Sequence, residues 1–252
     1  MTVDDYLRAI LRREAVNTGL NSPVRRVQLT LRPTIAKWAG SYLVSFYPTG
    51  SFVKGTANHS GTDIDLFISL SSKTPESLPE IYEKLFTWLQ QNKYAPQRQN
   101  VSIKINVGGY GVDLVPAKRQ SVVGTDHSLY RRRAHTWTKT NVTKHIVRVR
   151  QAGRVAETRI IKLWRDQHRI EFPSFYLELT VINALSGARG TLSSNVVRVF
   201  EHLRDRFPNA RVVDPANTSN IISDDLTLAE KNSIKEAAAS ALSVSDWNQI
   251  VV

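Results

Sequence analysis

The segment GSFVKGTANHSGTDIDLFISL, residues 50–70, decides the fold. It starts with a Gly-Ser turn and ends in a run of strand-forming residues that carries Asp63 and Asp65. Because successive side chains of a strand point to opposite faces, these two aspartates share one face, and Ile64 and Leu66 share the other. Two carboxylates this close repel each other unless a cation lies between them. The pattern therefore predicts a cation site at the start of a strand.

The residues around the two aspartates favour a site for phosphate and divalent metal. Carboxylate oxygens suit Mg²⁺ or Mn²⁺, and the Gly/Ser/Thr-rich loop offers N–H groups and hydroxyls to phosphate oxygens. A third carboxylate, Asp113 in GVDLV, lies on a strand expected to neighbour the first. Together the three predict a two-metal site, in which one ion activates an attacking hydroxyl and the other holds a triphosphate. The alternative is a pair of solvated aspartates after an ordinary turn.

Composition narrows the class of protein. A chain of 252 residues suits one large domain or two small ones. It has no apolar run near the roughly 20 residues that span a bilayer, and its N-terminus lacks the apolar region of a signal peptide. Without cysteine there is no disulfide framework, thiolate zinc site or cysteine nucleophile. We therefore expect a cytoplasmic protein with no membrane partner.

The net charge of +12 is concentrated in one segment. Residues 130–154, YRRRAHTWTKTNVTKHIVRVRQAGR, contain eight Lys/Arg and no acidic residue. Such charge attracts polyanions, so RNA is one expected partner along this segment. A basic lining of a triphosphate pocket, a solvated basic linker and charge for solubility are the alternatives.

The spacing of apolar residues predicts a mixed α/β part followed by a mostly helical part. The first part is expected to contain helices over 3–17, 22–40 (kinked or split at Pro33) and 75–92, and strands over 41–47, 63–70, 101–107 and 110–118. Gly108-Gly109 joins the last two strands as a hairpin. Helices are then expected over 138–150, 153–169, 173–186, 192–206 and 227–241, with a short apolar piece at 210–215. The order indicates an α+β fold with a boundary near 118–135.

These motifs resemble a known signature. In the first half, the nucleotidyltransferase signature of the DNA polymerase β superfamily is similar to GSFVKGT, DIDLF and VDLVP. In the second half, the helical domain of oligoadenylate synthases, archaeal class I CCA-adding enzymes and bacterial cGAS/DncV-like nucleotidyltransferases resembles ETRIIKLWRDQ, FPSFYLELTVINAL and VVDPANTSNIISDDLT. The resemblance runs from about Phe46 to Leu242. It implies a polymerase-β-like nucleotidyltransferase sheet with helices, followed by an oligoadenylate-synthase-like helical domain.

The resemblance also implies a division of labour along the chain. Residues 1–125 would form the catalytic domain, including an N-terminal helical spine, and residues 126–252 the helical domain that binds nucleotide and substrate. Asp63, Asp65 and Asp113 match the catalytic, metal-binding triad, which would hold two Mg²⁺ or Mn²⁺ ions. Nucleoside triphosphate (NTP) would contact Gly50, Ser51, Lys54, His145, Lys162, Ser174, and Phe175 or Tyr176.

Within this nucleotide set the roles differ. Gly50 and Ser51 match the turn that binds triphosphate, Lys162 matches a lysine that reaches it, and Ser174 matches a phosphate-contacting serine. Phe175 or Tyr176 would stack on the base, and His145 matches a phosphate-contacting histidine of the CCA-adding enzymes. Each has a structural alternative: Lys162 at the surface, Ser174 as a helix cap, the two aromatics in the core, and His145 as a structural histidine.

The expected reaction is transfer of a nucleoside monophosphate (NMP) from NTP to a hydroxyl, with release of pyrophosphate. Three products are open: a cyclic or short oligonucleotide second messenger of antiviral signalling type, an extended RNA or tRNA 3′ end, and an adenylylated protein or small molecule. A chain that ends at Val252 is expected to lack the tRNA-gripping domains of CCA-adding enzymes, which favours the first product. A non-catalytic nucleotide- or RNA-binding regulator is a further alternative. Base choice, linkage and oligomeric state are not expressed in the sequence.

Overall fold

A computed structural model of the chain describes residues 1–61 and 63–252. Thr62, in the loop predicted to hold phosphate, lies outside them. The described residues form helices α1 (Val3–Arg13), α2 (Pro23–Ala39), α3 (Gly50–Lys54), α4 (Leu78–Gln91), α5 (Val142–Gln151), α6 (Val155–Gln167), α7 (Ser174–Ala184), α8 (Leu192–Asp205) and α9 (Leu228–Ser243). They also form strands β1 (Leu43–Pro48), β2 (Ile64–Leu70), β3 (Gln97–Arg98), β4 (Ile103–Val107), β5 (Tyr110–Arg119), β6 (His127–Arg131), β7 (Thr136–Thr140), β8 (Val213–Asp214) and β9 (Asn217–Ile221).

The chain divides into two compact units that alternate along the sequence. The sheet unit comprises Asn17–Lys54 and Thr62–Ile146, and the helical unit comprises Met1–Val16, Gly55–Gly61 and Val147–Val252. The predicted functional division at residues 125 and 126 stays a prediction. Among the described residues, no helix combines the length and apolar character needed to cross a membrane.

A mixed sheet organises the sheet unit. Its strand order is β1-β2-β5-β4-β3, with β6 also paired to β5 and β7 paired to β6. Strands β2 and β5 run parallel, whereas the other pairs of this sheet are antiparallel. Alternation along β2 buries Ile64, Leu66 and Ile68 on one face, so Asp65 and Phe67 share the other. The expected α+β architecture and the Gly108-Gly109 hairpin between β4 and β5 are both present.

Helices α2 and α4 complete the sheet unit. Helix α2 starts where the Ser22 hydroxyl accepts a hydrogen bond from the Arg25 N–H at 3.4 Å, and Pro33 lies inside it without splitting it. The Gln28 side chain donates to the Phe46 carbonyl of β1 over 2.7 Å, which ties α2 to the sheet edge. Helix α4 begins with a capping box between Ser77 and Glu80.

The core of the helical unit is mainly aliphatic and includes a group of packed aromatic rings. Trp164 of α6 packs edge-on against Phe200 of α8, with ring centroids 5.0 Å apart. Tyr176 of α7 contacts both Phe172 and Phe207, at centroid distances of 5.3 and 5.1 Å. Helices α6 to α9 lie where the apolar spacing places them, each within a few residues of the predicted ends.

The predicted helix over 138–150 is wrong at its start. Residues 136–140 form strand β7, which pairs with β6 in an antiparallel hairpin, and α5 begins only at Val142. The alternating Thr-Trp-Thr-Lys-Thr of β7 has the period of a strand. The Asn141 side chain accepts the Lys144 N–H at 3.0 Å, so an N-terminal cap fixes the start of α5. This part of the basic segment is therefore folded and is not a linker.

Candidate active site

The register of three strands brings Asp65, Asp113 and Lys104 side by side. Asp65 of β2 lies opposite Asp113 of β5 in the parallel pair. On the other edge of β5, Lys104 of β4 lies opposite Asp113 in the antiparallel pair. A cation and two carboxylates thus form one row across neighbouring strands. Lysine next to two aspartates offsets part of their mutual repulsion.

Gly50 is fitted against the Asp65 carboxylate. Its φ of 62° lies in the left-handed region, and a Cβ built on it would be 1.8 Å from the Asp65 Oδ2 atom. The adjacent Thr49 N–H donates to the Asp65 carbonyl over 2.9 Å. Glycine is required here for both reasons, because only glycine has neither the backbone strain nor the clash. The predicted turn is therefore the start of the short helix α3, held directly against β2.

The other two predicted residues of α3 differ in exposure. Ser51 is half-buried, as expected for a side chain that can reach a ligand. Lys54 ends α3 and is buried with 9% of its surface exposed. Its predicted contact with nucleotide stays a prediction.

Asp63 lies just before β2 and pairs with Lys104. The Lys104 Nζ donates to Asp63 Oδ2 over 2.6 Å, and the Asp63 side chain is 52% exposed. This hydrogen bond is the largest cause of the raised pKa of Lys104, with Asp113 and Asp65 adding to it. Gly111 completes the contact, because a Cβ there would lie 2.4 Å from the Asp63 Oδ1 atom. The Lys104 ammonium is thus held in its charged form by all three carboxylates.

Burial affects the pKa of the Asp113 carboxylate. Burial raises its pKa above the ordinary range, and the neighbouring Lys104 lowers it in part. The buried Ser102 hydroxyl lies 3.3 Å from Asp113 Oδ1, within donating distance. A carboxylate with a raised pKa accepts a proton more readily, which suits a general base.

The carboxylates of Asp65 and Asp113 suit a divalent cation, because they supply hard oxygen ligands from adjacent strands. Among the residues that the structure describes, no three His, Cys, Asp or Glu side chains are grouped so that they could hold a metal ion. The Asp63 carboxylate forms an ion pair with Lys104 through its Oδ2 atom. Coordination of a metal through Asp63 Oδ2 would require that ion pair to open, and the predicted metal role of Asp63 stays a prediction.

Lys162 lies in a buried ion pair of the helical unit. Its Nζ is 3.7 Å from Glu178 Oε1, and only 8% and 1% of the two side chains are exposed. The Thr56 hydroxyl donates to the same Glu178 oxygen over 2.6 Å. The alternative of a surface lysine is therefore wrong, because α6 turns Lys162 inward. Its predicted contact with triphosphate stays a prediction.

The two aromatic candidates, Phe175 and Tyr176, differ in burial. Tyr176 has no exposed surface and packs in the aromatic core, where burial raises the pKa of its hydroxyl to about 12. In this structure the Tyr176 ring has no surface on which a base could stack, which favours its structural alternative as a core residue. Phe175 is half-buried and packs at the edge of that core. Base stacking stays a prediction, and Phe175 is the candidate for it.

Ser174 and His145 are accessible at least in part. Ser174 is the exposed first residue of α7, and its hydroxyl accepts a hydrogen bond of 2.9 Å from Arg165 Nη1. The helix cap position is Pro173, so Ser174 makes no side-chain cap. His145 lies half-buried on α5 in the sheet unit. Their predicted contacts with phosphate stay predictions.

Sequence reasoning missed Lys104, Ser102 and Gly111. A signal for Lys104 exists in the hairpin itself. A two-residue Gly108-Gly109 turn pairs Val107 with Tyr110. Three residues further from the turn on each strand, Lys104 therefore lies opposite Asp113. The contact of Ser102 depends on the loop before β4, which has no such pattern.

Comparison with known proteins identifies the family to which the segment with these residues is similar. Residues 34–119, which include β1, β2, β4 and β5, match the family described as the nucleotidyltransferase domain. The chain contains a nucleotidyltransferase domain. The predicted enzyme class is thereby confirmed.

The relatives of this nucleotidyltransferase confirm the resemblance to cGAS/DncV-like enzymes. A curated relative, cyclic AMP-AMP-AMP synthase of Escherichia coli (strain MS 115-1), is 22% identical over 258 residues, which cover 86% of this chain and 80% of that protein. The solved structure of E. coli MS115-1 CdnC with ATP matches with a TM-score of 0.76 and 19% identity, over 95% of this chain and 90% of that one. The CD-NTase CdnG of Bradyrhizobium diazoefficiens with GTP matches with a TM-score of 0.77 and 16% identity, over 96% and 91%. At these identities the structures confirm the fold.

We expect Gly50→Ala to lower the turnover of the nucleotidyltransferase strongly. Its effect on folding stability should be limited to the backbone strain of an alanine at this φ. The new Cβ must displace the Asp65 carboxylate, and a displacement of about 1 Å can reduce turnover about 10²-fold. Gly108→Ala is the matched control, because Gly108 has a φ of 59° and nothing within 4 Å of an added Cβ. Turnover of labelled NTP and thermal unfolding are measured for both variants. Equal turnover in the two variants would show that Gly50 does not hold Asp65 in a working position.

We expect Glu178→Ala to destabilise the nucleotidyltransferase by about 3–5 kcal/mol, because it leaves the buried Lys162 ammonium without this counter-charge. The double variant Lys162→Met/Glu178→Leu should recover part of that loss, since neither charge is then buried. Urea unfolding measures the free energy, with the exposed Glu171→Ala as control. A loss below about 1 kcal/mol for Glu178→Ala would contradict a stabilising ion pair.

Proposed function

We propose that this nucleotidyltransferase transfers NMP from NTP to a ribose hydroxyl and makes a cyclic or short oligonucleotide second messenger. The observation that carries the proposal is the row of Asp65 and Asp113 beside Gly50, in the segment that matches the nucleotidyltransferase domain. The product class is supported by the curated relative, a cyclic AMP-AMP-AMP synthase. The solved CdnC and CdnG structures, which hold ATP and GTP, support NTP as substrate.

The proposed step is displacement at the α-phosphorus of NTP. The hydroxyl oxygen forms a new P–O bond, the bond from the α-phosphorus to the bridging oxygen breaks, and pyrophosphate leaves. Asp113, directly beside Asp65 in the strand register, accepts the hydroxyl proton. Asp65 and Asp113 would hold Mg²⁺ or Mn²⁺, with Asp63 joining after its ion pair opens, and bound metal would neutralise the triphosphate. Gly50 and Ser51 would position the phosphates at the start of α3.

Other features of the proposal concern the setting of the reaction. The first 125 residues would supply catalysis, and residues 126–252, with Lys162, Ser174 and Phe175, would bind nucleotide. His145 and Lys54 are further proposed contacts. A cytoplasmic location and a role in antiviral signalling accompany this product class.

A second candidate function is extension of an RNA or tRNA 3′ end. It is favoured by the basic segment 130–154, whose part from 130 to 140 forms an exposed hairpin of the sheet unit. A non-catalytic regulator is less well supported, because it has no need of Asp65 and Asp113 in register across two strands.

Purified protein with labelled NTPs and Mg²⁺ or Mn²⁺ should form small phosphatase-resistant products without added RNA. Asp65→Asn and Asp113→Asn should each lower this turnover about 10²- to 10⁴-fold, because each removes a charged group from the reacting centre. Asp205→Asn, at an exposed ion pair with Arg204 in the helical unit, is the control and should keep full turnover.

The same samples are run with tRNA and resolved before and after phosphatase treatment. Label found only on RNA 3′ ends would replace the proposed product with the second candidate. No turnover of any NTP with either metal would reject both.

A further inference from the structure

The ion pair between Lys104 and Asp63 is a close contact for which the neighbouring strand leaves room. The Lys104 Nζ atom donates to Asp63 Oδ2 over 2.6 Å, and 32% of the Lys104 side chain is exposed. A Cβ built on Gly111 would lie 2.4 Å from Asp63 Oδ1 and 3.1 Å from Lys104 Cε. Glycine at position 111 therefore accommodates both partners of the ion pair.

Lys104 also balances the two carboxylates beside this pair. Its strand position lies opposite Asp113, which in turn lies opposite Asp65. Both aspartates contribute to the raised pKa of Lys104, although its hydrogen bond to Asp63 contributes most. One ammonium group therefore offsets part of the mutual repulsion of three carboxylates.

A divalent cation at these carboxylates would compete with Lys104. Within residues 1–61 and 63–252, no three His, Cys, Asp or Glu side chains are grouped so that they could hold a metal ion. A site that uses Asp63, Asp65 and Asp113 together therefore requires at least one carboxylate to move, and Asp63 is held by Lys104. An ammonium group and a divalent cation on the same carboxylate also repel each other. Metal and lysine are thus alternative counter-ions of Asp63.

We propose that Lys104 is an internal counter-ion that a divalent cation displaces from Asp63. In this role the lysine stabilises the sheet unit without metal and weakens the affinity of the carboxylates for metal. The proposal rests on the proposed function, in which Asp63, Asp65 and Asp113 hold Mg²⁺ or Mn²⁺. Lys104 acts through Asp63, so it is a positioning residue. The alternative is a purely structural lysine that stays on Asp63 while metal binds to the other two carboxylates.

The test measures the affinity of the nucleotide-free protein for Mn²⁺, from the electron paramagnetic resonance signal of the free ion. Lys104→Met and Lys104→Gln remove the competing charge, so each should bind Mn²⁺ at least about threefold more tightly than the wild type. Lys104→Arg keeps the charge and should bind Mn²⁺ like the wild type. Lys73→Met is the matched control and should also bind like the wild type, because Lys73 is exposed and follows the opposite end of β2.

Thermal unfolding gives a second measurement, which a purely structural lysine would not change in the same way. With a chelator, Lys104→Met should unfold about 2–4 °C below the wild type, because the three carboxylates then lack this counter-charge. In excess Mn²⁺ this deficit should shrink by the amount that the ratio of the two metal affinities sets. A purely structural lysine predicts the same deficit with and without Mn²⁺.

Four results would overturn the proposal: no Mn²⁺ binding by the wild type or the neutral variants, neutral variants that bind no more tightly than the wild type, Lys104→Arg that binds as tightly as the neutral variants, and Lys73→Met that gains as much affinity as Lys104→Met. Mn²⁺ binding that persists in Asp65→Asn/Asp113→Asn would place the ion elsewhere and would also overturn it. Circular dichroism on each variant confirms that it is folded.

The absence of NTP from these measurements separates this inference from the proposed catalysis. A wild type that turns over NTP, with neutral Lys104 variants of unchanged Mn²⁺ affinity, would keep the proposed function and reject the displacement of Lys104. Neutral variants that bind Mn²⁺ more tightly, with a wild type that turns over no NTP, would do the reverse.

Discussion

The parallel pairing of β2 with β5 is the constraint on which the site depends, because its register places Asp65 directly beside Asp113. Like charges on neighbouring strands destabilise a sheet unless something offsets them. Here the next strand, β4, brings Lys104 to the opposite side of Asp113 and into a 2.6 Å contact with Asp63. Gly50 and Gly111 keep two adjacent positions free of a Cβ, so that the Asp65 and Asp63 carboxylates have room. Strand order and register therefore form the site. The neighbouring Lys104, Gly50 and Gly111 offset the negative charge of the carboxylates or leave room for them.

Much of this arrangement is predictable because β-structure has a short and rigid period. Alternation places Asp63 and Asp65 on one face, and the two-glycine turn fixes the register of β4 against β5. That register also determines the position of Lys104. The sequence prediction did not include Lys104, because it considered a metal ion as the only cation beside the aspartates. The main helices of the second half are equally predictable, because apolar residues at helical spacing over 11 to 16 residues leave few alternatives.

The remaining features depend on tertiary contacts that periodicity does not encode. Helix α7 is buried around most of its circumference, so the pattern cannot tell which of Phe175 and Tyr176 faces the core. Lys162 is turned inward only because Glu178 and Thr56 meet there from distant parts of the chain. The β6–β7 hairpin is short and rich in arginine, so charge obscures the alternation, and its tip is held by the loop at Gln99 and Asn100.

Burial then separates side chains that support the fold from those that can meet a ligand. Tyr176 belongs to the first group, whereas Ser51, Ser174 and Phe175 keep exposed surface. The carboxylates by themselves do not choose a product, because attack on an α-phosphorus proceeds in the same way from a nucleotide hydroxyl or from an RNA 3′ end. The choice must come from surfaces that hold the acceptor. In the sheet unit, the basic β6–β7 hairpin is hydrogen-bonded to the loop that carries Ser102, so an acceptor held by the hairpin would lie on an element joined to Asp113.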